Sequence, residues 1–194
     1  MISSFIHHPT SVTQQIQKMQ SIDKYVVQAL DNYPYWLEGT LESLGYALAY
    51  DNKNVMALGL YGRLYAEQMQ DYESAKQYYA EALAADIHAL AIYPYYAEVL
   101  LLNEDYEEAA KLIDFSLTIK GINKVQMWIK KIQLLERQQD IKAALKMIKE
   151  VKLISFTNDS YEIDQLEKRL KSKKELLKPK KSKKKKVEKK KSKK

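Results

Sequence analysis

A motif that returns every 34 or 35 residues is the feature of this 194-residue sequence that most constrains its fold. The run Asp-Tyr-Glu-Ser-Ala at residues 71–75 recurs as Asp-Tyr-Glu-Glu-Ala at 105–109 and, more weakly, as Asp-Ile-Lys-Ala-Ala at 140–144. Three other sets of positions recur at the same spacing of 34 or 35 residues. They are Gly62, Ala97 and Ile132; then Tyr79, Ile113 and Ile148; and then Ala82, Ser116 and Val151. Self-similarity at a period of this length predicts stacked copies of one supersecondary unit.

The repeated positions each have a physical role in a unit made of a helix, a tight turn and a second helix. Asp71, Asp105 and Asp140 stand where an N-cap is needed, because a carboxylate there accepts bonds from the free backbone N–H groups of the first turn. A small residue such as Gly62 on the first helix, with Ala75 on the second, lets the two helices approach closely. The chain also has only five Gly and four Pro, which favours long helices.

On these residues the chain resembles the tetratricopeptide repeat (TPR) family. That family's motif places a large, a small and an aromatic residue in the first helix, then Ala, an aromatic residue and Ala in the second. The matching residues are Tyr61, Gly62, Tyr65, Ala75, Tyr79 and Ala82, then Tyr96, Ala97, Leu100, Ala109, Ile113 and Ser116, then Trp128, Ile132, Leu135, Ala144, Ile148 and Val151. The third copy departs from the motif because Lys131 stands where an apolar residue is expected. Ile87 also replaces the proline that is usual between repeats.

The resemblance covers about residues 12–153 and implies an all-α fold. The expected architecture is a TPR-like α-solenoid of about four helix-turn-helix repeats in a right-handed superhelix. A degenerate first repeat would pair a helix at about 12–30 with a second helix at 34–50, with Pro34 in its first turn. A non-repeating helical bundle, with periodicity that arises by chance, is the alternative.

The chain has four predicted segments. A capping box of Asp159 with Glu162 predicts a last helix, with Ile163, Leu166, Leu170 and Leu177 at helical spacing to cover the end of the array. The predicted boundaries are a flexible N-terminal arm at 1–11, a TPR-like repeat domain at 12–157, a capping helix at 158–178 and a disordered Lys-rich tail at 179–194.

The net charge of +7 is the sum of an acidic body and a strongly basic tail. Residues 168–194 contain 17 Lys or Arg against two acids, a net +15, which leaves −8 for residues 1–167. The tail has almost no apolar residue to bury and its like charges repel, so we expect it to be disordered. Its candidate polyanion-binding residues are Lys180, Lys181, Lys183, Lys184, Lys185 and Lys186.

Several roles for this tail stay open. It could make a nonspecific contact with RNA, DNA or a ribosome, which would weaken steeply with salt. It could contact an anionic membrane surface instead. It could also only solvate the protein or dock on the acidic body, and in a eukaryote it would suit nuclear import. The tail has neither aromatic residues nor Arg among its lysines, which argues against sequence-specific recognition.

Residue types that carry catalysis or bind metals are sparse. The chain has no cysteine, which excludes disulfides, thiolate metal sites and cysteine nucleophiles. His7 and His8 are neighbours in the N-terminal arm, and His88 lies in a predicted inter-repeat turn without the pattern of a catalytic triad. No Gly-rich phosphate loop or metalloprotease motif is present. We therefore expect a protein that is not an enzyme and that uses no cofactor, metal or small-molecule substrate.

The location that we expect is cytoplasmic. The first ten residues have neither the basic nor the apolar region of a secretory signal. The most apolar stretch, at 89–102, is shorter than the roughly 20 residues that a membrane-spanning helix needs.

Tyrosine is common, with 15 copies, and two clusters at 33–36 and 93–96 each combine tyrosine with proline. Such clusters can stack on nucleic-acid bases. Packing within the repeat is the favoured interpretation, since Tyr96 already occupies a motif position. Tyr35 and Tyr95 are the two that we expect to face outward.

The TPR resemblance also implies a partner-binding groove on the concave surface, which the first helices line. The groove residues implied by register are Arg63, Glu67, Tyr95, Glu98, Lys130, Gln133 and Arg137. One subtype of the family clamps a C-terminal carboxylate with Lys and Asn at fixed groove positions. Those positions hold Gly59, Leu60, Arg63 and Gln126 here, so that clamp is absent.

Two classes of function follow from these observations. The first is a protein-protein interaction scaffold or adaptor that binds a partner protein or peptide in the groove, and an accessory subunit of an enzyme would be one form of it. The second is a nucleic-acid- or ribosome-associated protein that binds polyanions through the Lys-rich tail. A salt titration separates the two classes, because only the second predicts binding that collapses steeply with salt.

Overall fold

The computed structural model describes residues 23–155 and 160–177, and these residues form nine helices without a strand. The helices are α1 (Lys24–Asn32), α2 (Leu37–Tyr50), α3 (Val55–Leu64), α4 (Tyr72–Ala85), α5 (Ile92–Leu102), α6 (Tyr106–Ser116), α7 (Lys124–Arg137), α8 (Ile141–Ile154) and α9 (Ser160–Leu176). The prediction of an all-α fold is therefore confirmed for this part of the chain. None of these helices is long and apolar enough to cross a membrane.

The chain divides into two compact units, Met1–Asp105 and Tyr106–Lys194. The first unit holds 5 Lys or Arg and 13 Asp or Glu, a net charge of −8, and the second holds 27 and 12, a net charge of +15. The basic excess of the second unit therefore lies in residues 168–194, because residues 106–167 are neutral, with ten charges of each sign. The prediction of a single repeat domain at 12–157 stays a prediction.

In the first unit, successive helices from α1 to α5 pack against one another. Its first core cluster consists of Val26, Ala29, Leu44, Ala47, Ala57 and Leu60. Between α3 and α4 the contact is close at Gly62, where a Cβ atom would lie 2.5 Å from Tyr79 Cε1. Because the Tyr79 side chain is fully buried there, Gly62 has the role that the repeat predicts: it lets the second helix of the pair approach the first.

The turn between α1 and α2 differs from the sequence prediction. The prediction that Pro34 lies in the first turn of a helix at 34–50 is wrong, because α2 begins at Leu37. The Tyr33–Pro34 peptide bond is cis, and the backbone N–H groups of Tyr35 and Trp36 both donate to the Asn32 carbonyl. The chain therefore makes an additional turn before the helix. Of the first predicted helix, the structure describes the part from α1 onward, and residues 12–22 lie outside it.

Side-chain caps start two helices where the repeat predicts them. Asp71 accepts a bond from the Ser74 N–H and starts α4, and Asp140 accepts one from the Ala143 N–H and starts α8. These two predicted N-caps are confirmed. The carboxylate of Asp105 accepts bonds from Lys76 Nζ at 2.5 Å and from Asn103 Nδ2 at 2.7 Å.

In the second unit, α6, α7, α8 and α9 pack in chain order. The core there is made of buried apolar residues, which are Val125, Ile129, Ile132, Ile141, Ala144, Ile148, Val151, Ile163, Leu166 and Leu170. Three of the four apolar residues predicted for the last helix are thus buried, whereas Leu177 is 65% exposed. Asp159, the predicted cap of that helix, lies outside the described residues.

Lys131 shows how the third repeat accommodates a charge at an apolar motif position. Its side chain lies over the Trp128 ring, with Nζ 5.6 Å from the ring centroid, and donates to Asp114 on α6. The aliphatic stem can therefore cover apolar surface while the ammonium group is paired.

Candidate protein-binding surface

An ion pair on α3 is the centre of the candidate site. Arg63 Nε lies 3.2 Å from Glu67 Oε1, and its Nη2 lies 3.3 Å from Glu67 Oε2. Glu67 belongs to a π-helical turn, Tyr65–Met69, which continues α3 and ends at Gln70 in the left-handed conformation with φ 54°. Bidentate pairing of this kind fixes the plane of the guanidinium group.

Two tyrosine rings flank this guanidinium group. The Arg63 Cζ atom lies 5.1 Å from the centroid of the Tyr33 ring and 5.1 Å from that of the Tyr95 ring. The Tyr33 hydroxyl donates a hydrogen bond to Glu67 Oε2. We call these four residues, Tyr33, Arg63, Glu67 and Tyr95, the Arg63 cluster. Tyr33 directly follows α1, and Tyr95 lies on α5, so the cluster joins the first helices of three successive predicted repeats.

The ionisation of the cluster follows from these contacts. Partial burial acts to raise the pKa of Glu67, but the bonds from Arg63 and Tyr33 outweigh it and lower that pKa. Partial burial acts to lower the pKa of Arg63, but the bond to Glu67 and the charge of Glu67 together outweigh it and raise that pKa. Burial, and then the bond to Glu67, raise the pKa of the Tyr33 hydroxyl. At neutral pH the cluster therefore contains a neutralised ion pair and a tyrosine that keeps its proton.

Three tyrosines stack on one another, and one of them, Tyr65, is the first residue of the π-helical turn. The ring centroids of Tyr61 and Tyr78 are 4.8 Å apart, and those of Tyr65 and Tyr78 are 5.4 Å apart. Burial raises the pKa of both Tyr61 and Tyr78. Stacking of this kind stabilises the turn that positions Glu67.

The two tyrosines predicted to face outward do so. Tyr35 is 94% exposed and Tyr95 is 41% exposed, whereas Tyr79, Tyr93 and Tyr96 are buried. Each aromatic cluster therefore contains an exposed ring, and the cluster at 93–96 also contributes buried rings to the core.

The structure brings three of the seven predicted groove residues together, namely Arg63, Glu67 and Tyr95. Glu98 lies one turn after Tyr95 on α5 in the same unit. The other three, Lys130, Gln133 and Arg137, lie on α7 in the second unit. The side-chain oxygen of Gln133 is buried without a hydrogen-bond partner among the described residues. The predicted tail residues, Lys180, Lys181, Lys183, Lys184, Lys185 and Lys186, lie outside the described residues.

Sequence reasoning missed Tyr33 as a member of the site. The available indication was its spacing, since Tyr33 and Glu67 are 34 residues apart, one repeat length. Residues one repeat apart are neighbours when repeats stack, so this spacing is that of a contact between adjacent units.

Within the described part of the chain, no group of three or more His, Asp or Glu residues is placed to hold a metal ion. His88 lies in a turn, where its backbone N–H donates to Asp86 Oδ1 at 2.8 Å. The Arg63 cluster can recognise a partner through its aromatic ring faces and its fixed carboxylate.

In comparisons with known proteins, no family model matches the chain and no curated protein matches it significantly.

Proposed function

We propose that this chain is an interaction scaffold of TPR-like helical repeats, located in the cytoplasm, that binds a partner protein or peptide over the Arg63 cluster. The observation that carries this proposal is the arrangement of Tyr33, Arg63 and Tyr95, in which one guanidinium group is flanked by two tyrosine rings, one from the turn after α1 and one from α5. Tyrosine and arginine dominate the binding energy of protein interfaces, and here both are fixed before a partner arrives.

The spacing of the helices supports the repeat assignment. The second helices of the three best repeats begin at Tyr72, Tyr106 and Ile141, which are 34 and 35 residues apart. Hydrogen bonds between side chains recur at about the same separation, such as 34 residues for Tyr33 with Glu67 and 33 residues for Arg169 with Glu136. Nearest-neighbour contacts at one period are typical of stacked repeats.

Charge indicates the kind of partner. The first unit has a net charge of −8, and Glu67 keeps 41% of its side chain exposed beside the tyrosine rings. Complementary charge speeds association and selects among partners. We therefore expect a partner segment with basic side chains for the acidic surface and an apolar or aromatic residue for the faces of Tyr33 and Tyr95.

The test is affinity capture from lysate of the source organism, with nuclease present. The cluster variant carries Arg63→Ala and Tyr95→Ala, and the control carries Lys111→Ala and Tyr161→Ala, an exposed cation and an exposed tyrosine of the second unit. A protein retained by the wild type and the control but lost with the cluster variant supports the proposal. Equal retention by all three chains contradicts it.

A further inference from the structure

The second unit carries a groove between α8 and α9 that is lined mainly by lysine. Its volume is ≈ 420 Å³. The cations that line it are Lys142, Lys146 and Lys149 from α8 and Lys171 and Lys174 from α9. We call these five residues and the space between them the lysine groove. Leu145, Glu167 and Glu175 complete its lining.

Most of these lysines have no counterion within the part of the chain that the structure describes. Among the residues that the structure describes, Lys142, Lys146, Lys149 and Lys174 take part in no ion pair. Glu167 does not supply one for them, because its carboxylate is already bonded to Lys152 at 2.6 Å and to Lys171 at 2.6 Å. The groove therefore concentrates positive charge that the fold leaves for an external anion.

The lysines of α8 are spaced along one line. Residues 142, 146 and 149 share a helix face, and together they span about 10 Å at 1.5 Å per residue. Like charges three or four residues apart destabilise a helix. A row of this kind fits an extended anion with regularly spaced charges better than a single small anion.

From this geometry we propose that the lysine groove binds the phosphate backbone of a single-stranded nucleic acid. Lysine contacts phosphate as a point charge, without reading the base. The lining contains no aromatic residue on which a base could stack, so binding should be insensitive to sequence. Because lysines from both α8 and α9 line the groove, one strand that lies in it can contact both sets.

The sequence that follows α9 is also positively charged. Residues 178–194 follow the end of α9 and contain twelve Lys and one Glu. Lys174 is thus four residues in sequence from the first lysine of this segment. The proposal goes beyond the scaffold function, since it assigns a second ligand to folded residues of the other unit.

An anionic membrane is the main competing ligand. Surfaces that bind membranes place exposed apolar side chains beside their cations. Leu145 is the apolar residue of the groove, and it is half-buried. The exposed Leu153 lies toward the opposite end of α8, and Leu176 lines a separate depression with Glu136. Apolar anchors are therefore missing from the groove itself.

The experiment measures binding of the full chain to a fluorescent oligouridylate of about 20 nucleotides, between about 50 and 200 mM salt. The groove variant is Lys142→Gln, Lys146→Gln and Lys149→Gln. The control is Lys111→Gln, Lys120→Gln and Lys124→Gln, which removes the same charge from the same unit and keeps the tail. A third variant, with Arg at the three groove positions, retains the charge.

We expect the groove variant to bind about tenfold more weakly, and its slope of log K against log salt to fall by about two, since each lost phosphate contact removes about 0.7. The control and the Arg variant should bind within about twofold of the wild type. Equal weakening of the groove variant and the control would overturn the proposal, because the net charge of the chain alone would then explain the binding. Unchanged binding of the groove variant would also overturn it.

A parallel titration uses vesicles with about one third phosphatidylserine. The proposal predicts that the groove variant and the control bind these vesicles equally. If the groove variant loses vesicle binding and keeps oligouridylate binding, the groove is a membrane site and the proposal fails. Thermal unfolding of each variant verifies the fold, which should be unaffected because the substituted lysines of α8 are exposed.

Discussion

The guanidinium group of Arg169 on α9 holds both oxygens of Glu136 on α7, with Nε 2.9 Å from Oε1 and Nη2 2.6 Å from Oε2. Lys173 adds a third contact, with Nζ 2.7 Å from Glu136 Oε1. The Glu136 side chain is only 6% exposed, so these bonds replace the water that its carboxylate would otherwise bind. These bonds link α9 to α7, the helix two before it in the chain.

Stability should depend on this carboxylate in acid. Burial acts to raise the pKa of Glu136, but the bonds from Arg169 and Lys173 outweigh it and lower the pKa below the ordinary 4.5. Its stabilising contribution is therefore complete above about pH 4.5 and is lost as the pH falls through the lower folded-state pKa. Glu136→Gln should cost about 1–2 kcal/mol at pH 7, in chemical denaturation, and should flatten the loss of stability below pH 4.5. Exposed Glu150→Gln is the control; an equal effect of both substitutions would contradict this role.

Gly62 tests how closely α3 and α4 approach. An added Cβ atom would lie 2.5 Å from the buried Tyr79 ring, so Gly62→Ala should destabilise the chain by about 1–3 kcal/mol. At Gly45 the same atom would meet only the Tyr61 hydroxyl at 3.9 Å, and Gly45→Ala should stabilise α2 by about 0.5–1 kcal/mol. Thermal melts of the two variants should shift in opposite directions. A Gly62→Ala chain that melts as the wild type does would show that the contact is not constraining.

The helix starts are predictable from sequence because their causes are local. Asp140 caps a helix through the N–H three residues later, and Gly62 is small because its partner helix is adjacent in the chain. The Arg63 cluster was only partly predictable. Register placed Arg63, Glu67 and Tyr95 on one face, but the position of Tyr33 depends on the turn at Pro34, where the prediction placed a helix.

The lysine groove could not be predicted at all. The spacing of Lys142, Lys146 and Lys149 is visible in the sequence, but an exposed row of lysine is ordinary for a helix surface. The groove arises because Lys171 and Lys174 of α9 face that row, which depends on the rotation of α9 about its axis. The burial of Ile163, Leu166 and Leu170 sets this rotation, since these side chains must face the core.

The cap at Asp140 has a simple test. Its carboxylate accepts a 2.9 Å bond from the Ala143 N–H, so Asp140→Ala should cost about 1 kcal/mol of unfolding free energy. Asp140→Asn keeps an oxygen acceptor at the same position and should retain most of the stability. Denaturant titration of both variants checks this. Equal losses in the two variants would mean that charge, and not the capping bond, stabilises α8.

The hydrogen bond from the Tyr33 hydroxyl should have a measurable effect on the pKa of Glu67. Its bond helps to lower the pKa of that carboxyl group, so Tyr33→Phe should raise the pKa toward its ordinary value. Carboxyl chemical shifts followed by NMR across the acid range measure this. Tyr35→Phe is the matched control, because Tyr35 lies two residues away and is almost fully exposed. A pKa of Glu67 that is the same in all three chains would show that the bond is absent in solution.

The central claim is that the Arg63 cluster forms the partner-binding surface, and amide hydrogen exchange with the captured partner tests it most directly. Peptides that cover residues 61–67 and 92–98 should exchange more slowly in the complex than in the free chain, since a bound partner restricts the local opening of this surface. The same partner should give no such protection with the Arg63→Ala and Tyr95→Ala variant. Protection confined to other parts of the chain, with 61–67 and 92–98 unchanged, would contradict the account.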